Sequence, residues 1–317
     1  MTGGNDPLAA GAPPRLAIVT VLYRSADMLA RTLPTWVVSA KGLPVEFVFV
    51  DNMPEDGCRE VIAGCLAESE YRYLPDASNA GFAAGCNRAA EAVTAPHMFL
   101  LNPDVWLRAE SLSAIVEAVA EAPDVPIAVS LAMGGTEYAG IDVHPIALFI
   151  DRRVGVGRGP LGPSGGAAVF PAALFTRFGG FHEDLFAWGE DADLAYRLYA
   201  AGVRTATLGL DLPHAWGHSV DGDQGLGRFR AFLLARNRLL VAARTFTWPL
   251  LVIGLPVIAL AQCGLALRRA RQGLLRPFLA GVGRGLGTAL RARRTHHGAR
   301  FGLGTLVRYV NGRDHRG

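Results

Sequence analysis

Between residues 16 and 101 four short apolar runs alternate with segments of helical pattern, and this alternation constrains the fold more than any other feature of the chain. The runs are Leu16–Leu22, Val45–Val50, Tyr71–Leu74 and His97–Leu101. Helical patterns cover 26–39, about 59–68 and a stretch from Asn87 to about Val93. Continuous β-branched runs suit strands buried on both faces. Strands alternating with helices imply an α/β fold: a Rossmann-like, mostly parallel sheet with right-handed crossovers and helices on its flanks. Such a sheet binds ligands at the carboxyl ends of its strands. Asp51 and Asn52 follow the second run directly, and Asp104 follows the fourth after Asn102-Pro103.

Charge divides the chain. From Leu226 onward there are 17 Arg and one acid (Asp314), a net of +16, whereas residues 1–225 carry a net of −13. An acidic body does not suit nucleic acid, whereas a basic tail suits either nucleic acid or an anionic lipid surface, of which the membrane surface is the partner expected and nucleic acid is not. Within that tail Trp248–Leu267 is apolar, with Gln262 its one strongly polar side chain and Arg on both flanks. A helix of this length would just cross a ~30 Å hydrocarbon core. Arginine at both ends and Pro249 and Pro256 within favour an interfacial or embedded segment with both ends cytoplasmic over a single span. The expected division is a flexible tail over 1–14, a catalytic domain over 15–225 and a basic, apolar, helical membrane-associated region over 226–317. The first 14 residues lack the basic and apolar regions of a secretory signal. The four cysteines show no metal spacing and read as reduced thiols of a cytosolic compartment.

Further carboxylates could carry chemistry. Glu190, Asp191 and Asp193 open a helical pattern that runs to Ala201. Asp193 and Arg197 are four apart and should pair on one helical face, which leaves Glu190 and Asp191 to face a cleft. Phe186 and Trp188 stand just before them as an apolar wall that could raise a carboxylate pKa toward the range of a general base. His214 and His218 are four apart, but Pro213 and Gly217 argue against a helix. One histidine could still complete a metal site with Asp104. The middle of the chain, 127–162, reads as short strands and Gly-rich loops without clear order, followed by a strand over 165–170.

Five segments in order resemble family 2 glycosyltransferases of the GT-A fold, especially the bacterial rhamnosyltransferase-like group. They are Val19–Tyr23, Val48–Asn52, Asn79–Asn87, Leu100–Asp104 and Gly179–Leu194. The resemblance implies a donor-nucleotide pocket of Thr20, Tyr23, Asp51, Asn52, Asn79, Gly81 and Asn87, with Asp51 bonded to the nucleobase. It implies Asp104 as ligand to Mg²⁺ or Mn²⁺, with His214 a late metal or diphosphate contact. The family's aspartate motif here has one acid, Asn-Pro-Asp, where many relatives have two. Asp191 would be the catalytic base, with Glu190 beside it, and Gly166 and Trp188 would border the sugar or acceptor.

The function implied is inverting transfer of a sugar, rhamnose among the candidates, from a dTDP- or UDP-sugar to a glycan or lipid-linked acceptor of the cell envelope, at the cytoplasmic face of the membrane. A single in-line displacement needs one carboxylate as base, unlike the pair used by glycosidases. The alternatives are a nucleotidyltransferase, which would want a Gly-rich basic loop where Leu22–Ala26 stands, and an inactive sugar-nucleotide-binding protein. A dinucleotide-dependent oxidoreductase is disfavoured because no GxGxxG follows the first strand.

Overall fold

β1 (Leu16–Leu22) is buried along its whole length in the computed structural model, which describes residues 13–145, 148–215, 223–296 and 298–312. β1 pairs in parallel with β2 (Val45–Asp51) and with β4 (His97–Leu101), and β3 (Tyr71–Pro75) extends the sheet beyond β2. The connections are α1 (Ala26–Ala40), α2 (Cys58–Ala63) and α3 (Gly81–Ala92), with α4 (Ser111–Glu121) after β4. The helix expected over 59–68 ends sooner, at Ala63, where Gly64 takes the cap position.

Beyond β4 the sheet changes direction. β8 (Ala167–Pro171), β5 (Ile127–Met133), β6 (Thr136–His144) and β7 (Leu148–Arg153) follow one another antiparallel. β9 (Ala206–Pro213) lies parallel to β5. The unordered middle of the sequence thus supplies three strands, and the nine-stranded α/β sheet is parallel over its β3-β2-β1-β4 half and, beyond it, only in the β5–β9 pair. Strand periodicity puts Leu16, Ile18 and Leu22 of β1 against Trp36 of α1 and Leu112 and Ile115 of α4. Ala17, Val19 and Val21 face Ala83 and Cys86 of α3 and the aromatic pair Phe170 and Phe175, the latter on α5 (Ala172–Arg177).

The Arg-rich C-terminal region folds as α7 (Gln224–Thr245), α8 (Trp248–Arg271), α9 (Leu275–Arg294) and α10 (Leu303–Val310). A boundary near residue 225 falls at the start of α7, yet the helices beyond it are not a detached unit. Leu240, Val241 and Phe246 share a core with Tyr196 and Tyr199 of α6 (Glu190–Ala200) and with Phe301 and Tyr309. α9 lies close along α7 because a Cβ at Gly281 would collide with the Phe232 carbonyl oxygen. α8 differs from a core helix: of its 24 residues only Leu250, Ile258 and Ala261 are buried. It is the one described helix long and apolar enough to cross a membrane. Pro249 sits in its first turn, where a missing N–H costs little.

Candidate active site

The loop carrying Asp104 is fixed from α1. Thr32 Oγ1 donates to the Pro103 carbonyl at 2.7 Å, Trp36 Nε1 donates to the Val105 carbonyl at 2.8 Å, and the Leu107 N–H donates to Thr35 Oγ1 at 3.1 Å. Hydrogen bonds of this kind contribute about 1 kcal/mol each, and three of them leave the loop little freedom. β9 brings His214 to the same place through an antiparallel bridge between His214 and Val105. His214 Nε2 then lies 3.0 Å from Asp104 Oδ1, and His214 Nδ1 lies 3.3 Å from Met133 Sδ.

A cleft of about 840 Å³ opens at the carboxyl ends of the parallel strands. Its lining brings together Tyr23, Asn52, Asn79, Gly81, Asp104, Gly166, Trp188, Glu190, Asp191 and His214. Three residues expected in the donor pocket do not line it. Thr20 points to the α1 side of β1, opposite Val21 and Tyr23, and is buried there because strand side chains alternate. Asp51 is fully buried and accepts from the Tyr73 hydroxyl at 2.6 Å and the Met53 N–H at 2.9 Å. Asn87 ties α3 to the loop before α6, accepting from the Phe181 N–H and donating to the Phe181 carbonyl and to Glu183. Next to Asp51, Asn52 donates through Nδ2 to the Gly81 carbonyl at 3.2 Å, while its buried Oδ1 has no partner among the described residues. His218 lies outside the described residues.

The catalytic candidates sit at the start of α6. Phe186 and Trp188 hold positive φ angles of 65° and 62°, a strained conformation that side chains adopt only when their surroundings impose it. Asn237 of α7 imposes it, donating through Nδ2 to the carbonyls of Leu185, Ala187 and Trp188 at 2.8–3.0 Å. The Phe186 carbonyl in turn accepts from the Ala83 N–H of α3 at 2.9 Å. The contact demands glycine at 81, where φ is +93° and a Cβ would lie 2.6 Å from the Phe186 ring.

Asp191 accepts from the Gly165 N–H at 3.0 Å and from the Ala192 N–H at 2.7 Å. Burial pushes its pKa up to about 6 despite those bonds, with Asp151 adding to the rise. Glu190 is buried, its Oε2 has no partner among the described residues, and burial followed by repulsion from Asp191 holds its carboxyl well above the usual range. Asp193 faces away and is paired with Arg197 at 2.7 Å, as the four-residue spacing requires, and also with Arg244 of α7.

Sequence reasoning missed Asp151 and Asn237. Asp151, on β7, lines the cleft, accepts from Ser164 Oγ at 3.3 Å and is raised above the usual carboxylate range, chiefly by burial. Its signal was available: Leu148–Ile150 is an apolar run ending in an acid, as at Asp51. Asn237 carried no such signal, because its function depends on a loop about 50 residues away.

Oxygen and imidazole donors suit a hard or borderline divalent cation, and two protein ligands leave room for diphosphate oxygens and water. The Asp104–His214 pair fits that description: both side chains are largely buried, and they already touch. Asp51, Asp56 and Cys58 also place possible ligand atoms within 4.8 Å of one another. There both carboxylates already accept hydrogen bonds, Asp56 from the N–H groups of Ser25 and Cys58, and burial pushes the Cys58 thiol up. That second group suits an anchor between β2 and the first two helices better than a metal site.

Residues 17–158 match the family model described as Glycosyl transferase family 2. The fold is GT-A. A mannosyltransferase from Pyrobaculum calidifontis, solved with GDP-Man and Mn²⁺, superposes with a TM-score of 0.53 at 18% identity, over 92% of this chain and 88% of its own. GalNAc-T7, solved with UDP, GalNAc and Mn²⁺, gives 0.58 at 12% identity, over 75% and 49%. In sequence the chain is similar to the validoxylamine A glucosyltransferase of Streptomyces hygroscopicus subsp. jinggangensis (strain 5008), 26% identical over 68% of this chain. The match spans 59% of that relative's length. No subgroup within the family follows from these likenesses.

Proposed function

We propose that this protein is an inverting glycosyltransferase that moves a sugar from a nucleoside-diphosphate donor to an acceptor hydroxyl. The observation that carries this reading is the sharing of one cleft by Asp191, a carboxylate with pKa raised to about 6, and the Asp104–His214 pair. Asp191 takes the proton of the acceptor hydroxyl as that oxygen attacks the anomeric carbon. The bond from that carbon to the diphosphate breaks on the opposite face, and the configuration inverts. Asp104 and His214 would hold Mg²⁺ or Mn²⁺, which when bound supplies positive charge to the departing diphosphate. Holding a metal through Nε2 requires the His214 proton on Nδ1, where Met133 Sδ is a weak acceptor for it.

The unpartnered Oδ1 of Asn52 is an acceptor for the imide N–H of a pyrimidine, which favours dTDP- and UDP-sugars. dTDP-rhamnose is the first donor to test, on the strength of the rhamnosyltransferase-like segments, and UDP-sugars the second. The acceptor is a cell-envelope glycan or lipid-linked sugar, reached from the cytoplasmic face of an anionic membrane on which the exposed apolar side of α8 rests. A nucleotidyltransferase is the less favoured alternative, because no Gly-rich basic loop follows β1. Release of nucleoside diphosphate from a panel of dTDP-, UDP- and GDP-sugars, with Mn²⁺ or Mg²⁺, tests the proposal. Turnover of a pyrimidine donor is expected; tighter binding of GDP would overturn the pocket, and turnover of none would leave an inactive sugar-nucleotide-binding protein.

A further inference from the structure

One wall of the cleft is built by the C-terminal helices and presents arginine. Arg230 and Arg238 lie about two turns apart on α7. Arg268 and Arg269 of α8 stand three and four residues after Leu265, on the same helical face. All five residues line the cleft that holds Asp191. No Asp or Glu occurs between residues 224 and 313, so the acids that share the cleft with these arginines stand on other elements, Asp151 of β7 among them. Arg238 Nε is buried without a hydrogen-bond partner among the described residues. Burial, then repulsion from Arg269, pushes its pKa down to about 10. A buried guanidinium N–H with an unmade bond is costly until an anion supplies the acceptor. The planar fork of arginine matches phosphate oxygens better than any other side chain.

The same helix carries the apolar surface. Val252, Ile253, Leu255 and Leu260 of α8 are 62–74% exposed. α8 therefore joins a cationic site inside the cleft to an apolar strip outside it. A donor nucleotide is polar throughout and has Asp104 and His214 for its diphosphate; an anion bonded to α7 and α8 and continued along Leu265 must be amphiphilic. We propose that the acceptor is a glycan carried on a lipid phosphate or diphosphate, its hydroxyl meeting Asp191, its anion held by Arg238 and Arg269 with Arg230 and Arg268 beside them, and its lipid chain laid along α8 toward the membrane. This rests on the glycosyl-transfer reading of the cleft and names the acceptor class for it.

Calorimetric titration of the full chain with farnesyl diphosphate, inorganic diphosphate and farnesol tests the proposal, with UDP and dTDP plus Mn²⁺ titrated into the same preparations. Wild type should bind farnesyl diphosphate at least about tenfold more tightly than either fragment probe. Arg238→Gln/Arg269→Gln should lose about tenfold or more of that affinity, the size of one to two charge-assisted hydrogen bonds, with nucleotide affinity held within about twofold. Arg238→Lys, which keeps the charge and removes the fork, should fall between and guards against misfolding of the double variant. Loss of nucleotide binding in place of lipid-diphosphate binding would assign the arginines to the donor and overturn the proposal. Equal binding of farnesol or of inorganic diphosphate would overturn it as well. Failure of wild type to bind any nucleotide would instead strike the glycosyl-transfer reading, with the lipid arm scored separately.

Discussion

Arg244 Nε on α7 donates to Asp193 Oδ1 at 2.8 Å, while Arg197, one turn along α6, donates to Asp193 Oδ2 at 2.7 Å. Asp193 is fully buried and both arginines nearly so. One carboxylate thus joins the helix that starts with the candidate base to the first helix of the Arg-rich region. Asp193→Asn would leave two buried guanidinium groups without their anion, a loss of about 3–5 kcal/mol, read as a fall in the thermal midpoint. The arginines hold the Asp193 pKa below its ordinary 3.8, against the opposing effect of burial. Its contribution is therefore complete above pH 3.8 and disappears as pH falls further. Acid unfolding of wild type should show that loss, and the Asn variant should lack it.

Asn237 is a positioning residue on the same helix. Asn237→Leu keeps the volume and removes the one amide NH2 group that the carbonyls of Leu185, Ala187 and Trp188 share. The strained loop should then relax. The expected result is a fall of about tenfold or more in turnover, as misplacement of a catalytic group produces, with nucleotide affinity little changed. An equal fall in nucleotide affinity would place the loop in donor binding instead.

Asp104 and His214 should behave as one unit. Asp104→Asn and His214→Ala should each abolish the gain in nucleotide affinity on adding Mn²⁺, measured by calorimetry with and without chelator. The double variant should be no worse than the poorer single, because residues acting on one ion are not additive. Full retention of the Mn²⁺ effect in both single variants would rule out this pair as the metal site.

The parallel half of the sheet was legible because buried parallel strands are continuous apolar runs, and β1, β2 and β4 are three of them. β6 and β7 were not, since 136–153 mixes charged and apolar residues on an antiparallel edge. The site divides in the same way. Asp104, Glu190, Asp191 and Trp188 could be placed because strand ends and helix starts aim their side chains predictably. Thr20 and Asp51 could not: a one-residue phase on β1 hides Thr20, and a hydroxyl from Tyr73 closes over Asp51. The largest surprise is the role of α7. Its arginines read as tail charge in sequence, yet Arg244 is buried in a core and Arg238 lines the cleft.

Exposed apolar surface on α8 predicts membrane binding of the full chain. Vesicles containing anionic lipid should sediment it, and neutral vesicles should do so less well, because arginine adds roughly 1 kcal/mol per charge near an anionic surface. Leu255→Glu/Leu260→Glu alters two residues exposed by 63% and 74%, so folding should be unaffected while sedimentation is lost. A full chain that stays in the supernatant with anionic vesicles would remove the membrane reading.

Asp191 carries the sharpest test, because its chemistry and its stability point in opposite directions. As a base it must be ionised, so kcat/KM should rise with pH to a plateau above about 6, the pKa to which burial pushes it. As a buried acid with a raised pKa, it binds its proton more tightly in the folded chain than in the unfolded one, so stability falls as pH rises from 3.8 to about 6 and the cost is complete above that. Asp191→Asn keeps the shape and an acceptor for the Gly165 N–H, and removes that cost. The variant should melt no lower than wild type at pH 7.5, bind donor nucleotide within about twofold, and transfer sugar roughly 10²–10⁴ times more slowly. Its residual rate should lose the acidic limb near pH 6. A variant retaining more than about a tenth of wild-type transfer would return the role of base to Glu190 or Asp151, the other carboxylates lining the same cleft.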